Sequence, residues 1–336
     1  MKPKIIFADA FNLQPHVREN FHSLGRVVQL TLEERERLLS EVSNAELVIA
    51  EYARIDEELL QRGRSLKAVL VYGTGTNHID LEAAARLGIP VANTKGANAN
   101  AVAELTFSLM LNCVRRTADA HRYIREKNWQ SGDSGELPET FTGTELRNKL
   151  LGLIGLGAIG RRVAAIGNGF GMNVCFYDPN LQSDPPPESA ACTRQDLDSL
   201  LHRSDIVSVH APLTPATRKL LNGDKLRLMK PSAVLIVTSR GGIVDEEVLA
   251  DMLERRELAA AGLDVFSNEP LENSSRLPAL DNVVLTPHIG GSTMEAVDNI
   301  SRLLMEQAAA VFSGNRPDNL VNGEELKKFS KTHLSP

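Results

Sequence analysis

The stretch Lys149-Leu-Leu-Gly-Leu-Ile-Gly-Leu-Gly-Ala-Ile-Gly160 decides the fold of this 336-residue chain. Its first part, residues 150–154, is a short apolar run of the kind that forms a strand buried inside a parallel sheet. The pattern Gly155-x-Gly157-x-x-Gly160 follows at once, and an apolar-periodic segment comes next. The sequence therefore predicts a strand, a glycine turn and a helix in that order.

Each glycine has a physical role in such a turn. Gly155 permits the tight bend, Gly157 lets a diphosphate approach the backbone, and Gly160 lets the helix pack closely on the strand. A second apolar run ends at Asp178, where a carboxylate would accept hydrogen bonds from an adenosine ribose and repel a 2′-phosphate. A glycine-rich loop in another α/β protein is the alternative. Because strand, helix and acid stand in the right order, the pattern favours a dinucleotide site for NAD rather than NADP.

The composition is that of an ordinary globular protein of about two domains, with 42% hydrophobic and 24% charged residues. A net charge of −6 argues against nucleic acid or an anionic membrane as a partner. No apolar run is long enough for a membrane span, and the first ten residues suit a strand better than a signal peptide. Cys113, Cys175 and Cys192 show no metal-ligand or redox spacing. We expect a cytoplasmic protein with no metal site.

Alternating strands and helices run along the whole chain and predict parallel sheets covered on both faces. The predicted strands are residues 4–8, 27–30, 47–50, 66–72, 89–92, 150–154, 174–177, 206–209, 233–237, 261–265 and 283–286. The predicted helices include 15–24, 33–42, 56–61, 81–87, 101–125, 196–201, 225–229, 245–255 and 295–311. Polar stretches at 130–144 and 183–187 are predicted loops.

Four residues whose side chains could take part in catalysis or ligand binding lie at strand ends in the second half of the chain. Arg240 follows the strand 233–237, Asp264 lies in 261–265 with Glu269 after it, and His288 follows 283–286. Because ligands bind at the carboxyl ends of strands in an open parallel sheet, these residues can converge on one site. Singly, Arg240 could be a surface cation, Glu269 a loop acid and His288 a turn residue.

Together with the dinucleotide motif, these side chains favour a dehydrogenase of 2-hydroxy or 2-oxo acids. Arg240 offers a planar fork that binds a carboxylate and polarises a carbonyl. His288 would protonate the carbonyl oxygen as hydride reaches the carbon. Glu269 would hold the imidazole in one orientation and steady the imidazolium.

The chain resembles the D-2-hydroxyacid dehydrogenase family from its first strands to Val321. The resemblance lies in six motifs, which are highly specific as a set. They are Tyr72-Gly-Thr-Gly-Thr-Asn-His-Ile-Asp80, the glycine turn with Tyr177-Asp178-Pro179, His210-Ala-Pro-Leu-Thr-Pro-Ala-Thr217, Thr238-Ser-Arg-Gly-Gly-Ile-Val-Asp245, Gly262-Leu-Asp-Val-Phe266 with Glu269-Pro270, and Thr286-Pro-His-Ile-Gly-Gly291.

The resemblance implies three groups of site residues. It assigns catalysis to Arg240, Glu269 and His288. It assigns NAD binding to Gly155, Gly157, Ala158, Ile159, Gly160, Asp178, His210, Ala211, Pro212, Thr217, Thr238, Asp264, Gly290 and Gly291. It assigns the substrate carboxylate to backbone N–H groups of Tyr72, Gly73, Thr74 and Gly75, and the rest of the substrate pocket to Tyr52, Lys95 and Arg240.

The resemblance also implies an α/β fold of two Rossmann-like, doubly wound parallel-sheet lobes with the active site in the crevice between them. Residues 1–100 with 294–336 would form the substrate-binding domain and 101–293 the NAD-binding domain, with a C-terminal helix completing the first. The 101–125 helix would cross between lobes in a homodimer. The implied ligand is a small 2-oxo or 2-hydroxy acid. No regulatory domain follows residue 321, so we expect no serine feedback.

The chain departs from the family at three places, two of which bear on the substrate. Val237 replaces an Asn of many members, which is a packing change, and Lys95 replaces a Pro. Members that act on phosphorylated substrates tend to carry Arg in the loop after the strand 47–50, which here reads Glu51-Tyr-Ala-Arg-Ile55. Glu51 would oppose an anionic substrate tail, whereas Arg54 and Lys95 leave such a tail possible. An NADH-sensing corepressor, or an enzyme that oxidises an inorganic or phosphonate-type anion, remains an alternative.

Overall fold

The computed structural model describes residues 2–10, 13, 15–130, 136, 138–181 and 191–332. The chain divides into two compact units, here called unit 1 (Met1–Asn98 with Gly291–Pro336) and unit 2 (Ala99–Gly290). The loop predicted at 183–187 lies outside the described residues, as does part of the loop predicted at 130–144.

Strands and helices alternate along the described chain. The strands are β1 (Lys4–Phe7), β2 (Arg26–Gln29), β3 (Leu47–Ala50), β4 (Ala68–Val71), β5 (Val91–Asn93), β6 (Leu150–Ile154), β7 (Asn173–Tyr177), β8 (Cys192–Arg194), β9 (Ile206–Val209), β10 (Val234–Val237), β11 (Ala260–Leu263) and β12 (Val283–Leu285). The helices are α1 (Pro15–Leu24), α2 (Arg35–Glu41), α3 (Glu57–Arg62), α4 (Leu81–Arg86), α5 (Ala99–Arg115), α6 (Thr117–Arg125), α7 (Ala158–Gly169), α8 (Leu197–Arg203), α9 (Gly223–Leu226), α10 (Glu246–Glu254), α11 (Met294–Phe312) and α12 (Gly323–Thr332).

Unit 1 is built on a five-stranded, wholly parallel sheet with the strand order β2-β1-β3-β4-β5. Successive side chains of a strand point to opposite faces, so Ile5 packs against α11 residues such as Leu304 while Ile6 packs under α2 and α3. Both faces are covered, which explains why the strands read as continuous apolar runs. Helix α11 belongs to this unit although it comes after unit 2 in the sequence.

Unit 2 is built on a seven-stranded parallel sheet with the order β12-β11-β10-β9-β6-β7-β8. Side chains of α5 and α7, such as Phe107 and Val163, cover one face through Leu151 and Leu153 of β6. Those of α8 and α10, such as Leu200 and Leu249, cover the other. The prediction of two doubly wound parallel sheets is therefore confirmed.

Strand order reverses at one point in each sheet, and ligand sites of such folds lie at the carboxyl ends of strands beside that point. The reversal lies between β6 and β9 in unit 2 and between β1 and β3 in unit 1. The glycine turn directly follows β6, and the segment beginning at His210 directly follows β9.

All the predicted strands are present, but three predictions of local structure were wrong or incomplete. The predicted helix 101–125 is two helices, α5 and α6, because Arg116 between them adopts a left-handed conformation (φ 50°). The Ala118 N–H donates to the Asn112 side chain in place of a helical carbonyl oxygen. Strand β11 ends at Leu263, so Asp264 follows the strand rather than lying in it. Strand β8 and helix α12 were not predicted. None of the helices in the described residues is long and apolar enough to cross a membrane.

Candidate active site

The turn after β6 can be built only from glycine at two positions. Gly155 has a φ of +96°, and a Cβ there would lie 2.9 Å from the Ala211 nitrogen. A Cβ on Gly160 would lie 2.3 Å from the Gly155 carbonyl oxygen. The roles predicted for these glycines as a tight turn and a close helix contact therefore match the geometry.

The same turn fits a dinucleotide. Gly157 is exposed at the N-cap of α7, where a Cβ would meet no atom within 4 Å, so a ligand has room to approach the backbone. The N–H groups at the start of this twelve-residue helix face that space, with Ala158 exposed and Ile159 half-buried. Backbone donors at a helix N-terminus are suited to hold a diphosphate.

Asp178 ties the end of β7 to the glycine turn. Its Oδ2 accepts the Leu156 N–H at 2.9 Å and its Oδ1 accepts the Asn180 N–H at 3.0 Å. It also lines a cavity of about 600 Å³, whose remaining walls are Tyr177, Pro179, Arg194, Gln195, Asp196, Ser199 and Arg203. Its lining holds two carboxylates, those of Asp178 and Asp196, and it lies at the end of β7, where the adenosine part of a dinucleotide would bind.

The segment after β9 carries His210, Ala211, Pro212 and Thr217. The His210 Nε2 lies 2.9 Å from the Ser208 hydroxyl, and burial lowers the pKa of His210 to about 3, so the ring is neutral. The Thr217 hydroxyl donates to the Pro212 carbonyl oxygen at 2.6 Å and shapes the turn between them. Ala211 is buried against Gly155.

Thr238, at the end of β10, is fixed by α5. The Thr106 hydroxyl donates to the Val102 carbonyl oxygen at 2.8 Å, and the Thr106 and Thr238 hydroxyl oxygens are 3.0 Å apart. Because Thr106 has one hydroxyl hydrogen, Thr238 must be the donor of the second bond. The predicted contact of Thr238 with the cofactor is thus limited to its backbone or to accepting a hydrogen bond.

Asp264 is fully buried and organises the loop that follows β12. Its side chain accepts the Thr286 hydroxyl at 2.6 Å and the N–H groups of Ile289 and Gly290 at 2.9 and 2.8 Å. Its carbonyl oxygen accepts the His288 N–H at 2.8 Å. Asp264 therefore fixes the backbone around His288, and the contact with the cofactor predicted for it stays a prediction. The neighbouring Gly291 belongs to unit 1.

His288 and Glu269 form a hydrogen-bonded pair at the same edge of the sheet. The His288 Nδ1 lies 2.6 Å from the Glu269 Oε2, and the other carboxylate oxygen accepts the Phe266 N–H at 2.9 Å. Burial pulls the pKa of Glu269 upward, but the bonds from His288 and Phe266 and the charges of His288 and Arg240 outweigh it, so the pKa lies below its ordinary value. Glu269 is an anion at neutral pH.

Arg240 lies close enough to Glu269 for its charge to act on that carboxylate, and its Nη1 donates to the Ser239 carbonyl oxygen at 2.7 Å. The next residue, Gly241, lies directly against the loop that leads to Glu269. A Cβ there would be 1.9 Å from the carbonyl carbon and oxygen of Phe266. Three predicted catalytic residues, Arg240, Glu269 and His288, are thus brought together in unit 2.

The loop predicted to hold the substrate carboxylate follows β4 in unit 1. The Tyr72 N–H donates to the Ala50 carbonyl oxygen at 3.0 Å, and the Gly73 N–H donates to the Thr94 hydroxyl at 2.9 Å. The N–H groups of Thr74 and Gly75 have no acceptor within the described ranges of the chain. Of the four backbone N–H groups predicted to bind the substrate carboxylate, only those of Thr74 and Gly75 therefore remain candidates.

Two residues predicted to shape the pocket, Tyr52 and Lys95, are exposed at the same edge of the unit 1 sheet. Tyr52 and Glu51 are anchored by Asp9, whose buried Oδ2 accepts their N–H groups at 3.2 and 2.6 Å.

Sequence reasoning missed Asp9, Thr94, Thr106 and Gly241, which all act on other site residues. Asp9 follows β1 as Asp264 follows β11, so its position at a strand end was a usable signal. The partners of Thr94 and Thr106 are about twenty and more than a hundred residues away, and no local pattern reveals such pairs.

Comparison with known proteins agrees with this geometry. Residues 107–290 match the family described as D-isomer specific 2-hydroxyacid dehydrogenase, NAD binding domain. A glyoxylate reductase from Thermococcus litoralis is 40% identical over 273 residues, which are 81% of this chain and 82% of that protein. A hydroxypyruvate reductase from Thermotoga maritima is 40% identical over 264 residues, 78% of this chain and 82% of that protein.

A solved structure of D-lactate dehydrogenase from Aquifex aeolicus, complexed with NAD and lactic acid, superposes with a TM-score of 0.83 at 29% identity over 95% of this chain and 99% of that one. A parallel sheet with a glycine turn at the start of a helix is the arrangement of dinucleotide-binding domains. The chain belongs to the D-isomer specific 2-hydroxyacid dehydrogenases, a family of NAD-dependent enzymes, and NAD is its cofactor.

Proposed function

We propose that this enzyme reduces a small 2-oxo acid with NADH, or oxidises the corresponding D-2-hydroxy acid in reverse. The observation that carries the proposal is the 2.6 Å bond between the His288 Nδ1 and the Glu269 Oε2 on the sheet that also bears the glycine turn. The names of the relatives make glyoxylate and hydroxypyruvate the first substrates to test.

The proton step belongs to His288. With Nδ1–H donated to Glu269, the imidazolium gives its Nε2 proton to the carbonyl oxygen of the substrate and becomes neutral imidazole. Glu269 stays ionised at neutral pH and stabilises the imidazolium before transfer. Bound NADH would supply the hydride that the carbonyl carbon receives. In the oxidation of a hydroxy acid, neutral His288 takes up the hydroxyl proton.

Substrate orientation belongs to Arg240 and the loop after β4. The guanidinium of Arg240 is permanently charged and would hold the carboxylate and polarise the carbonyl. The N–H groups of Thr74 and Gly75, which have no acceptor among the described residues, would bind the carboxylate oxygens. The cofactor would be held at the N-terminus of α7, with its adenosine part beside Asp178.

We also propose that the protein forms a homodimer through α6 and the segment after it. No residue of α6 is buried, and Ile124 and Trp129 expose 49% and 50% of their surfaces. A short helix with no buried side chain gains little from its own unit, so a second copy would supply the missing packing.

The direct test is NADH oxidation by the purified protein with glyoxylate, hydroxypyruvate, pyruvate and longer 2-oxo acids. Turnover of one group of 2-oxo acids is expected. Tight NADH binding without turnover of any of them would contradict the proposal and support an NADH-sensing corepressor instead. Turnover restricted to an inorganic or phosphonate-type anion would also contradict it.

A further inference from the structure

Thr94 directly follows β5 and makes three hydrogen bonds to Gly73, in the loop that would bind the substrate carboxylate. Its backbone N–H and its hydroxyl both donate to the Gly73 carbonyl oxygen at 2.9 Å, and the hydroxyl oxygen accepts the Gly73 N–H at 2.9 Å. Thr94 is fully buried, with 0% of its surface exposed. The hydroxyl therefore uses its one hydrogen and an oxygen lone pair on the same glycine.

The Thr94 hydroxyl replaces a backbone acceptor that a continued sheet would supply. Across the β4–β5 ladder the Val69 N–H donates to the Pro90 carbonyl oxygen, and a regular continuation of that ladder would direct the Gly73 N–H to the Thr94 carbonyl oxygen. The chain instead leaves the strand at Gly73, which has a φ of +105°. The Thr94 side chain thus keeps the Gly73 backbone hydrogen-bonded at the point where the loop turns away from the sheet.

The next peptide of the loop is held by Asn93, the last residue of β5. The Asn93 Nδ2 donates to the Thr74 carbonyl oxygen at 2.8 Å, and the Asn93 Oδ1 accepts the Lys95 N–H at 3.2 Å. The Gln307 Nε2 of α11 donates to the Asn93 carbonyl oxygen at 2.9 Å. The Asn93 side chain therefore holds the Thr74 carbonyl oxygen at the end of β5, and its own backbone is fixed by α11.

These bonds set the direction of the two N–H groups that would bind the substrate. In a trans peptide the C=O of one residue and the N–H of the next residue point in opposite directions. The only cis peptide bond in the described part of the chain precedes Pro270. Because the carbonyl oxygens of Gly73 and Thr74 are held at the end of β5, the N–H groups of Thr74 and Gly75 point away from that strand.

We propose that Thr94 is a positioning residue for the substrate carboxylate, because its hydroxyl holds the Gly73 peptide in the orientation that leaves the Thr74 and Gly75 N–H groups available. The inference rests on the proposed function, in which those two N–H groups bind the carboxylate. Thr94 is buried behind the loop, so it acts through Gly73. Its effect reaches the substrate through the carboxylate, which every 2-oxo acid has, whatever the side chain.

The test measures kcat and KM of Thr94→Val for the two 2-oxo acids that the wild type reduces best, and the dissociation constant of NADH on the same preparation. Valine keeps the branched shape of threonine and removes the hydroxyl. KM should rise about tenfold and by the same factor for both acids, with kcat changed by no more than about twofold. NADH binding should be unchanged. Thr94→Ser keeps the hydroxyl and should restore KM to within about twofold of the wild-type value.

Ser204→Ala is the matched control. Ser204 is also fully buried, and its hydroxyl donates to the Leu200 carbonyl oxygen at 2.7 Å, but it lies in unit 2 between α8 and β9. Loss of either hydroxyl should lower the melting temperature by a few degrees. Only loss of the Thr94 hydroxyl should raise KM.

A Thr94→Val variant with a lowered melting temperature and the wild-type KM would have lost a structural bond alone, and it would overturn the proposal. KM values that rise by different factors for the two acids, or a Thr94→Ser variant that behaves like Thr94→Val, would do the same. If Thr94→Val does not fold, Thr94→Ala removes the same hydroxyl without adding an apolar group in its place. A wild-type protein that reduces no 2-oxo acid would contradict the proposed function and this inference together, whereas an active wild type with an unaffected Thr94→Val variant would contradict this inference alone.

Discussion

At the scale of single residues, two carboxylates divide the work of holding His288. Glu269 holds the ring through Nδ1, whereas Asp264 holds the backbone and the residues on either side. His288 has a φ of +53°, a conformation that costs a non-glycine residue about 1–3 kcal/mol. The hydrogen bonds to Asp264 stabilise this backbone conformation, and the bond to Glu269 fixes the orientation of the imidazole.

The lowered pKa of Glu269 predicts how the free energy of unfolding depends on pH. A carboxyl group whose pKa is lower in the folded state stabilises the fold above its ordinary value of 4.5, and this contribution is lost as the pH falls through the folded value. The free energy of unfolding of the wild type should therefore fall more steeply below pH 4.5 than that of Glu269→Gln. Urea unfolding at several pH values measures both slopes, and parallel slopes would contradict the assignment.

The position of Asp178 predicts a preference for NADH over NADPH. NADPH should be much the poorer donor for the wild type, because a 2′-phosphate would meet this carboxylate. Asp178→Asn keeps an oxygen for the Leu156 N–H but removes the charge, leaving Arg194 and Arg203 in the same cavity. The ratio of kcat/KM for NADH to that for NADPH should fall by about tenfold.

Asp196→Asn is the control for the cofactor prediction. Asp196 lines the same cavity but caps α8 through the Ser199 N–H, and Asn caps equally well. Its cofactor ratio should stay near that of the wild type. An unchanged ratio in Asp178→Asn would show that Asp178 does not discriminate.

Several site residues could be predicted from the sequence because they follow the carboxyl ends of strands. Arg240, Glu269 and His288 were found because they follow strands whose carboxyl ends share one edge. The sequence did not reveal which hydrogen-bond donors are already used. The N–H groups of Tyr72 and Gly73 bond to Ala50 and Thr94, and such pairs depend on the packing of strands that are distant in the sequence.

At the scale of elements, the loop after β10 fits directly onto the loop that carries Glu269. The contact is backbone against backbone, because Gly241 has no side chain to separate Arg240 from the Phe266–Ser267 segment. Ser267 is held in turn by Glu246 of α10, which accepts its N–H at 2.6 Å and its hydroxyl at 2.7 Å. The relative placement of Arg240 and Glu269 thus depends on this contact.

Gly241→Ala should therefore separate Arg240 from Glu269. A Cβ at 1.9 Å from two backbone atoms forces a shift of one loop, which should cost about 1–3 kcal/mol of stability. A displacement of about 1 Å is enough to lower kcat/KM by about a hundredfold. Steady-state kinetics and thermal unfolding measure the two effects.

Gly169→Ala provides the comparison, since a Cβ at this position in α7 meets no atom within 4 Å. Alanine there should leave turnover unchanged and stabilise the helix by up to about 1 kcal/mol. Equal activity of the two alanine variants would contradict the role given to the Gly241 contact.

Elements with strong local patterns were predictable, and those that depend on distant contacts were not. The apolar runs at β3, β6 and β9 gave the observed bounds, whereas the three-residue β8 is too short for a periodicity. No glycine or proline lies at the break between α5 and α6, so the sequence gives no signal for it. It depends on the Asn112 side chain, which replaces a helical hydrogen bond.

At the scale of the whole molecule, each unit has its own sheet and its own covering helices. Helix α6 is the exception within unit 2, because it carries apolar side chains but buries none. Tyr123 packs edge-on against Phe141 at 5.3 Å between ring centroids, and Ile124 and Trp129 lie outside that contact. Exposed apolar side chains on a helix that buries none support the proposed subunit interface.

The wild-type protein should therefore have twice the 36.7 kDa mass of one chain in solution. The double variant Ile124→Glu, Trp129→Glu should shift the mass toward that of one chain, because charged groups are excluded from an apolar interface. Light scattering after gel filtration measures the mass. Leu87→Glu, at an exposed leucine of unit 1, should leave the mass unchanged. A wild-type monomer would rule out the proposed interface.

The central claim is that His288 is the acid–base group of an NADH-dependent 2-oxo acid reductase. Its most direct test is the turnover of His288→Gln on the best 2-oxo acid, with NADH affinity measured on the same preparation and His22→Gln as an exposed control. We predict that kcat/KM falls by about 10²–10⁴-fold while NADH binding is retained. Turnover at the wild-type rate with normal NADH binding would contradict the account.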